Sequence, residues 1–275
     1  MLTPMPGVRN IIAIASGKGG VGKSTTAVNL ALALASEGAR VGILDADIYG
    51  PSQPRMLGLL NRTLESHDGK TFEPLVAHGL QVSSIGFMID EEKPLIWRGP
   101  MVTQALQQLA FQSNWNDLDY LLVDLPPGTG DAQLTLTQKV PLAGAIIITT
   151  PQDVALADAR KGLKMFEAVG VPVLGVIENM STFICPCCDK ETEIFGSGGG
   201  ERLAQESGVT LLGKLPLDGR IRAETDSGRP TVVADPGGPI AKRYREIARA
   251  AAAALAKRPK DQRGKFGTIV VEGRK

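Results

Sequence analysis

The chain has 275 residues, 43% of them hydrophobic, enough to bury the core of one large α/β domain or two small ones. Its 30 basic and 29 acidic residues balance, so overall charge does not point to nucleic acid as a partner. No run reaches the roughly 18 apolar residues of a membrane span and no apolar signal core precedes Asn10, so a cytoplasmic protein is expected, with no membrane or nucleic-acid partner and with its three cysteines reduced.

The predicted elements alternate from the first residues onward. Ile11–Ala15 reads as a strand, and the segment after it places Ala27, Leu30, Ala31 and Leu34 on one helical face. Further strands are predicted at Val41–Leu44, Leu80–Ile85, Tyr120–Val123, Ala145–Thr149 and Val173–Ile177. Several are apolar on both faces, as parallel strands covered by helices on each side must be. Met101–Ala110 reads as a helix that turns Met101, Ala105, Leu106 and Leu109 to the core. A last helix aligns Ile240, Tyr244, Ile247, Ala248, Ala251 and Leu255 before Pro259 stops it. This alternation implies a doubly wound, mostly parallel sheet with helices on both faces, the architecture of P-loop NTPases. One domain over residues 1–258 is expected, followed by a basic tail over 259–275. From Lys257 onward seven basic residues outnumber two acidic ones, the composition of a solvated tail.

The chemistry starts where the first strand ends. Gly17-Lys18-Gly19-Gly20-Val21-Gly22-Lys23-Ser24 fits G-x-x-x-x-G-K-[ST] between a strand and a helix, with Thr25 next in line. Glycines let backbone N–H groups wrap phosphates where a Cβ would clash, and the helix N-terminus adds its dipole. Lys23 is expected against the β- and γ-phosphates of ATP, and the Ser24 hydroxyl on Mg²⁺. Asp45 and Asp47 follow the second strand, and Asp124 closes the Tyr120–Val123 strand. Carboxylates at the C-terminal ends of parallel strands face the ligand crevice. Asp124 is expected to hold Mg²⁺ with Ser24. Asn179 follows the Val173–Ile177 strand, where its amide offers both a donor and an acceptor.

With Lys18 inside the loop, the sequence resembles the deviant Walker A class of nitrogenase iron protein, MinD, ParA and the Mrp/ApbC proteins, whose loops read K-G-G-x-G-K-[ST]. The resemblance implies an ATP-dependent sandwich dimer in which Lys18 reaches the nucleotide of the opposing subunit. It also implies that Asp47 positions the attacking water, that Asp45 joins the Mg²⁺ shell or serves the structure, and that Asn179 reads the adenine edge. Leu215-Pro216-Leu217-Asp218 matches the loop that flanks the base, which makes Pro216 and Asp218 binding residues.

Cys185-Pro186-Cys187-Cys188 contains one C-x-x-C pair, Cys185 and Cys188, with Cys187 extra. The pair alone is a weak signal. Soft metal sites want four thiolates, which a two-fold dimer supplies from two copies of the pair. Four thiolates suit zinc or a [4Fe–4S] cluster, and spacing does not separate them. The run Glu178-Asn179-Met180-Ser181 before Cys185, with Ile194-Phe195-Gly196 after Cys188, resembles the Mrp/ApbC iron–sulfur carrier family. Asp45 to Ser52, Trp97-Arg98-Gly99-Pro100 and Leu125 to Asp131 carry the same likeness, which runs from about Val8 to Ala256. It implies an ATPase that carries a [4Fe–4S] cluster across a homodimer, takes it from scaffold proteins and delivers it to apo iron–sulfur proteins. Two departures stand out. Many members carry a small domain ahead of the P-loop, and Cys187 fills a variable position. Competing expectations are a MinD/ParA-like positioning ATPase on membrane or DNA, and an ATP-dependent reductase like nitrogenase iron protein, whose cluster cysteines lie in two separate segments. Of the remaining segments, Gly196–Gly200 is expected as a flexible connection, Asp131 as a helix cap or dimer contact, and His67 and His78 as surface residues.

Overall fold

The computed structural model describes residues 3–88, 99–188 and 190–258. The basic tail over 259–275 and the Trp97-Arg98 pair lie outside them. In chain order the elements are β1 Val8–Ser16, α1 Lys23–Ser36, β2 Val41–Asp45, α2 Gln53–Met56, β3 Leu75–Ala77, β4 Leu80–Ser84, α3 Gly99–Gln112, β5 Leu118–Asp124, α4 Asp131–Lys139 and β6 Gly144–Thr149. They continue with α5 Asp153–Ala168, β7 Val173–Glu178, β8 Phe183–Ile184, β9 Glu191–Thr192, α6 Gly199–Glu206, β10 Leu211–Lys214, α7 Gly219–Asp226, α8 Thr231–Ala234 and α9 Pro239–Ala256.

Eight strands form one sheet in the order β10-β7-β6-β1-β5-β2-β4-β3. Every pairing is parallel except β3 with β4. β1 lies at the centre, and strand order reverses direction beside it, so its C-terminal end opens into a crevice. Consecutive residues of a strand face opposite sides, and the core obeys this. Ile12 and Ile14 join α1 and α9 on one face, whereas Ile11, Ala13 and Ala15 join α3 and α5 on the other. Burying each of these isoleucines is worth about 1.5–3 kcal/mol, so the two apolar faces of β1 clamp it between layers.

The six predicted strands are all present. Two differences concern packing. α1 is buried nearly all round from Thr26 to Leu34 rather than along one face, because α9 and α8 pack against it as well as the sheet. In α3 the buried residues are Leu106, Leu109 and Ala110, and Met101 is exposed.

Gly196–Gly200 is not a loose connection. Gly198 takes a left-handed φ of 66° and caps α6, whose first residues Gly199 and Gly200 are buried. The carboxylate of buried Glu178 accepts the Gly200 N–H at 2.5 Å, an anion on a helix N-terminus. His78, with φ 50°, turns the β3–β4 hairpin with Gly79, and its Nε2 meets the Gly228 carbonyl at 2.9 Å. No described helix is long and apolar enough to cross a membrane.

Candidate functional site

The crevice is built from the ends of β1, β2 and β5. Gly17 follows β1 directly, where an added Cβ would stand 2.1 Å from the backbone of Asp158 in α5, so only glycine lets the loop pass. Gly22 has φ 79° and precedes α1 with no side chain capping the helix. An added Cβ there would also strike Asn179 Nδ2 at 2.3 Å. The first N–H groups of α1 therefore face the crevice without a protein side chain competing for them. Lys18, Gly19 and Gly20 form the outer rim of the loop, half-buried or exposed. Val21 is buried, and its carbonyl accepts the Asn179 amide at 2.9 Å.

Lys23 is buried and sits among oxygens. Its Nζ donates to Asp124 Oδ1 in a short ion pair and to Ser24 Oγ at 3.1 Å, and it lies 4.0 Å from Asp47 Oδ2. The ammonium occupies a point shared by Asp124 and Ser24, two hard oxygen donors of the kind Mg²⁺ takes. The donor set therefore fits the metal once the ammonium moves to phosphate.

The three acids differ in what holds them. Asp45 is fully buried, and its Oδ2 accepts Ser52 N–H, Gln53 N–H and Ser84 Oγ, each at 3.0 Å, while Oδ1 accepts Asp47 N–H at 3.2 Å. Burial, with Asp124 across the β2–β5 pair, pushes Asp45 up to about 7. Its bonds organise the 47–53 loop. Asp124 is fully buried and is the β2–β5 register partner of Asp45. Asp47 keeps some exposure; burial raises its carboxyl while Lys23 opposes the rise. That leaves Asp47 as the acid nearest to open crevice. Gln53, which no motif flags, binds Asp124 Oδ2 at 2.9 Å and the Ser24 carbonyl at 3.1 Å.

The other wall follows β7. Asn179 spends one N–H on Val21 and keeps Oδ1 and its second N–H. Pro216 is buried in the segment after β10, which pairs with the chain after β7 through Ser181 N–H to the Leu215 carbonyl at 2.9 Å and Leu217 N–H to the Thr182 carbonyl at 2.7 Å. Asp218 caps α7 by accepting Arg220 N–H at 2.8 Å and pairs with the Arg220 guanidinium, which holds its carboxyl below the usual range. Asp131 opens α4.

The cysteines lie on the same wall, further out. β8 and β9 form a two-residue antiparallel ladder, closed by the Cys185 N–H to the Lys190 carbonyl at 3.1 Å. Cys185, Cys187 and Cys188 are free thiols at its tip, with Cys187 and Cys188 exposed. Backbone N–H groups of Cys187 and Cys188 point at Cys185 and lower its thiol pKa. Ile184 precedes the tip and is exposed, as is Ile194 beyond β9. Among the described residues no cluster of three or more metal-binding side chains exists within one chain.

Known proteins resemble this chain in sequence and in fold. The ParA family of NUBPL iron-transfer P-loop NTPases matches residues 7–252. The chain belongs to that family. The iron–sulfur cluster carrier protein of Pseudomonas fragi is 61% identical over 242 residues, 88% of this chain and 84% of that protein. A nucleotide-binding protein from Archaeoglobus fulgidus, solved with ADP, superposes with a TM-score of 0.73 at 37% identity, covering 86% of this chain and 91% of that one. The cell-division ATPase MinD of Pyrococcus furiosus gives a TM-score of 0.66 at 23% identity over 89% and 98% of the two chains, a likeness of fold alone. The mostly parallel P-loop NTPase fold expected from the sequence and its Mrp/ApbC-type resemblance thus stand, and the chain is a P-loop ATPase.

Proposed function

We propose that this chain is an ATP-dependent carrier of iron–sulfur clusters, its cargo a [4Fe–4S] cluster held between two copies by Cys185 and Cys188. The carrying observation is the free Cys185–Cys188 pair at the tip of an exposed hairpin, on the strand end whose Asn179 holds the P-loop, in a chain of an iron-transfer family. One chain offers too few thiolates for a cluster, and a two-fold pair offers four. Exposure suits cargo that must be handed on.

In this reading Lys23 takes the β- and γ-phosphates, and Gly17, Gly19, Gly20, Gly22 and Thr25 line their path. Ser24 and Asp124 hold Mg²⁺, which neutralises phosphate charge, with Asp45 behind them ordering the loop. Asp47 orients the attacking water. Lys18 reaches across to the partner's nucleotide. Asn179 offers Oδ1 to the adenine amino group, with Pro216 and Asp218 beside the base. Hydrolysis gates the cysteines rather than acting on the cargo. Scaffold proteins supply the cluster and apo iron–sulfur proteins receive it.

The test is anaerobic reconstitution of the wild type and of the Cys185→Ser/Cys188→Ser double variant. Iron and sulfide near four each per dimer, absent from the variant, are expected. Zinc without sulfide, or iron indifferent to the substitutions, would overturn the reading and leave an ATPase without this cargo.

A further inference from the structure

Gln53 opens α2 and is fully buried. Its Nε2 donates to the Ser24 carbonyl at 3.1 Å and to Asp124 Oδ2 at 2.9 Å. Both partners are acceptors, so only the amide nitrogen can serve them. Its backbone N–H donates to Asp45 Oδ2 at 3.0 Å. Gln53 thus bridges two buried carboxylates that face each other across β2 and β5, and ties both to the first turn of α1. Its Oε1 and the neighbouring Ser52 Oγ are buried and have no partner among the described residues. Two orphaned polar atoms beside well-bonded ones mark an arrangement completed by something else.

We propose that Gln53 is a positioning residue for the Mg²⁺–nucleotide site, holding Asp124 in place when Lys23 leaves it for phosphate. The competition is visible in the geometry. Lys23 pairs with Asp124, yet the P-loop motif assigns the same ammonium to the nucleotide. A carboxylate as deeply buried as Asp124 cannot be left without donors. Gln53 supplies one to Oδ2 that does not depend on Lys23. It leaves Oδ1, the oxygen Lys23 gives up, beside Ser24 Oγ, the second oxygen of that ammonium site. The orphaned Oε1 keeps an acceptor available to a donor that arrives with the ligand. Because Asp45 grips the Gln53 backbone, a shift at Asp124 is felt by the 47–53 loop that carries Asp47.

This inference rests on the nucleotide reading of the P-loop. Its test is binding of a fluorescent ADP analogue to the full chain, in EDTA and across a Mg²⁺ titration, for wild type, Gln53→Met and Gln53→Asn. Methionine keeps the volume and removes the donor; asparagine keeps an amide one methylene short. Affinity in EDTA is expected to agree within about twofold across the three proteins. The Mg²⁺ concentration at half-maximal tight binding is expected to rise about tenfold in Gln53→Met, the worth of one bond to a charged group, and less in Gln53→Asn. An equal Mg²⁺ midpoint in all three overturns the proposal. So does an equal loss of affinity with and without Mg²⁺, which would make Gln53 a folding residue only. Wild type that binds no ADP in either arm would overturn the nucleotide reading itself, and this inference with it.

Discussion

The P-loop crevice and the cysteine hairpin share one wall and are built on opposite principles. In the crevice, Lys23, Asp45, Gln53 and Asp124 are buried and bonded to one another before any ligand arrives. At the hairpin a two-residue ladder holds three free thiols in or near solvent. A site that must stabilise charge in a transition state gains from groups fixed in advance in a dry setting. A site that must release its contents gains from openness. The difference predicts that substitutions in the crevice damage fold and function together, whereas substitutions at the hairpin separate them.

The sharpest test is Lys23→Ala. It strands Asp124, fully buried, without its cation. Stability measured by urea unfolding is expected to fall by about 3–5 kcal/mol, and ATP hydrolysis to disappear. A small loss would mean that Asp124 is rescued by its other donors and that the crevice is less tightly coupled than drawn.

Gly22→Ala comes next. It forces a left-handed φ of 79° on an L residue and pushes a methyl at the Asn179 amide. A loss of about 1–2 kcal/mol in stability is expected from the backbone alone, with weaker nucleotide binding beside it.

An exposed ion pair calibrates the buried one. At the other end of the sheet, Arg40 and Arg9 surround Asp119, and the hydrogen bonds from Arg40 hold its carboxyl at about 2. A folded-state value below the unfolded one stabilises above the ordinary carboxylate range and is lost as pH falls towards 2. Asp119→Asn should flatten that acid limb of the stability profile by removing the same stabilisation near neutral pH, which is small for a solvent-screened pair. A large loss at neutral pH would show that exposure does not separate the two kinds of pair.

The smallest stability effect is expected at the hairpin. The Cys185→Ser/Cys188→Ser protein should unfold within about 0.5 kcal/mol of wild type while it loses its cargo. A larger loss in the metal-free chain would make the thiols part of the fold and erase the contrast.

What the sequence made legible follows the same division. Strands apolar on both faces announced themselves, since β1, β2, β5, β6 and β7 lie in the middle of the sheet. The edges did not. β3 has three residues and β10 four, with Gly213 inside it, too short for any periodicity. The P-loop was readable because phosphate binding imposes residue types at fixed spacing. Gln53 was not, because a glutamine between Ser52 and Pro54 becomes informative only when folding sets its amide between Ser24 and Asp124. Glu178 was hidden likewise: read as part of a motif, it serves as the anionic cap of α6, and a glycine run that looks slack is held by it.

The wall that joins the two regions also sets a leash. Asn179, bonded to the P-loop, and Cys185 are six residues apart, so even a fully extended chain keeps them within about 20 Å. The stretch between is pinned at Ser181 and Thr182 to the neighbouring segment, through Leu215 and Leu217, which stiffens it. Under the proposed function, a protein that collects from the thiols would crowd the mouth of the nucleotide pocket as well. In that reading acceptor docking and nucleotide exchange would be events at one doorway, their order along the delivery cycle constrained by traffic as much as by energy.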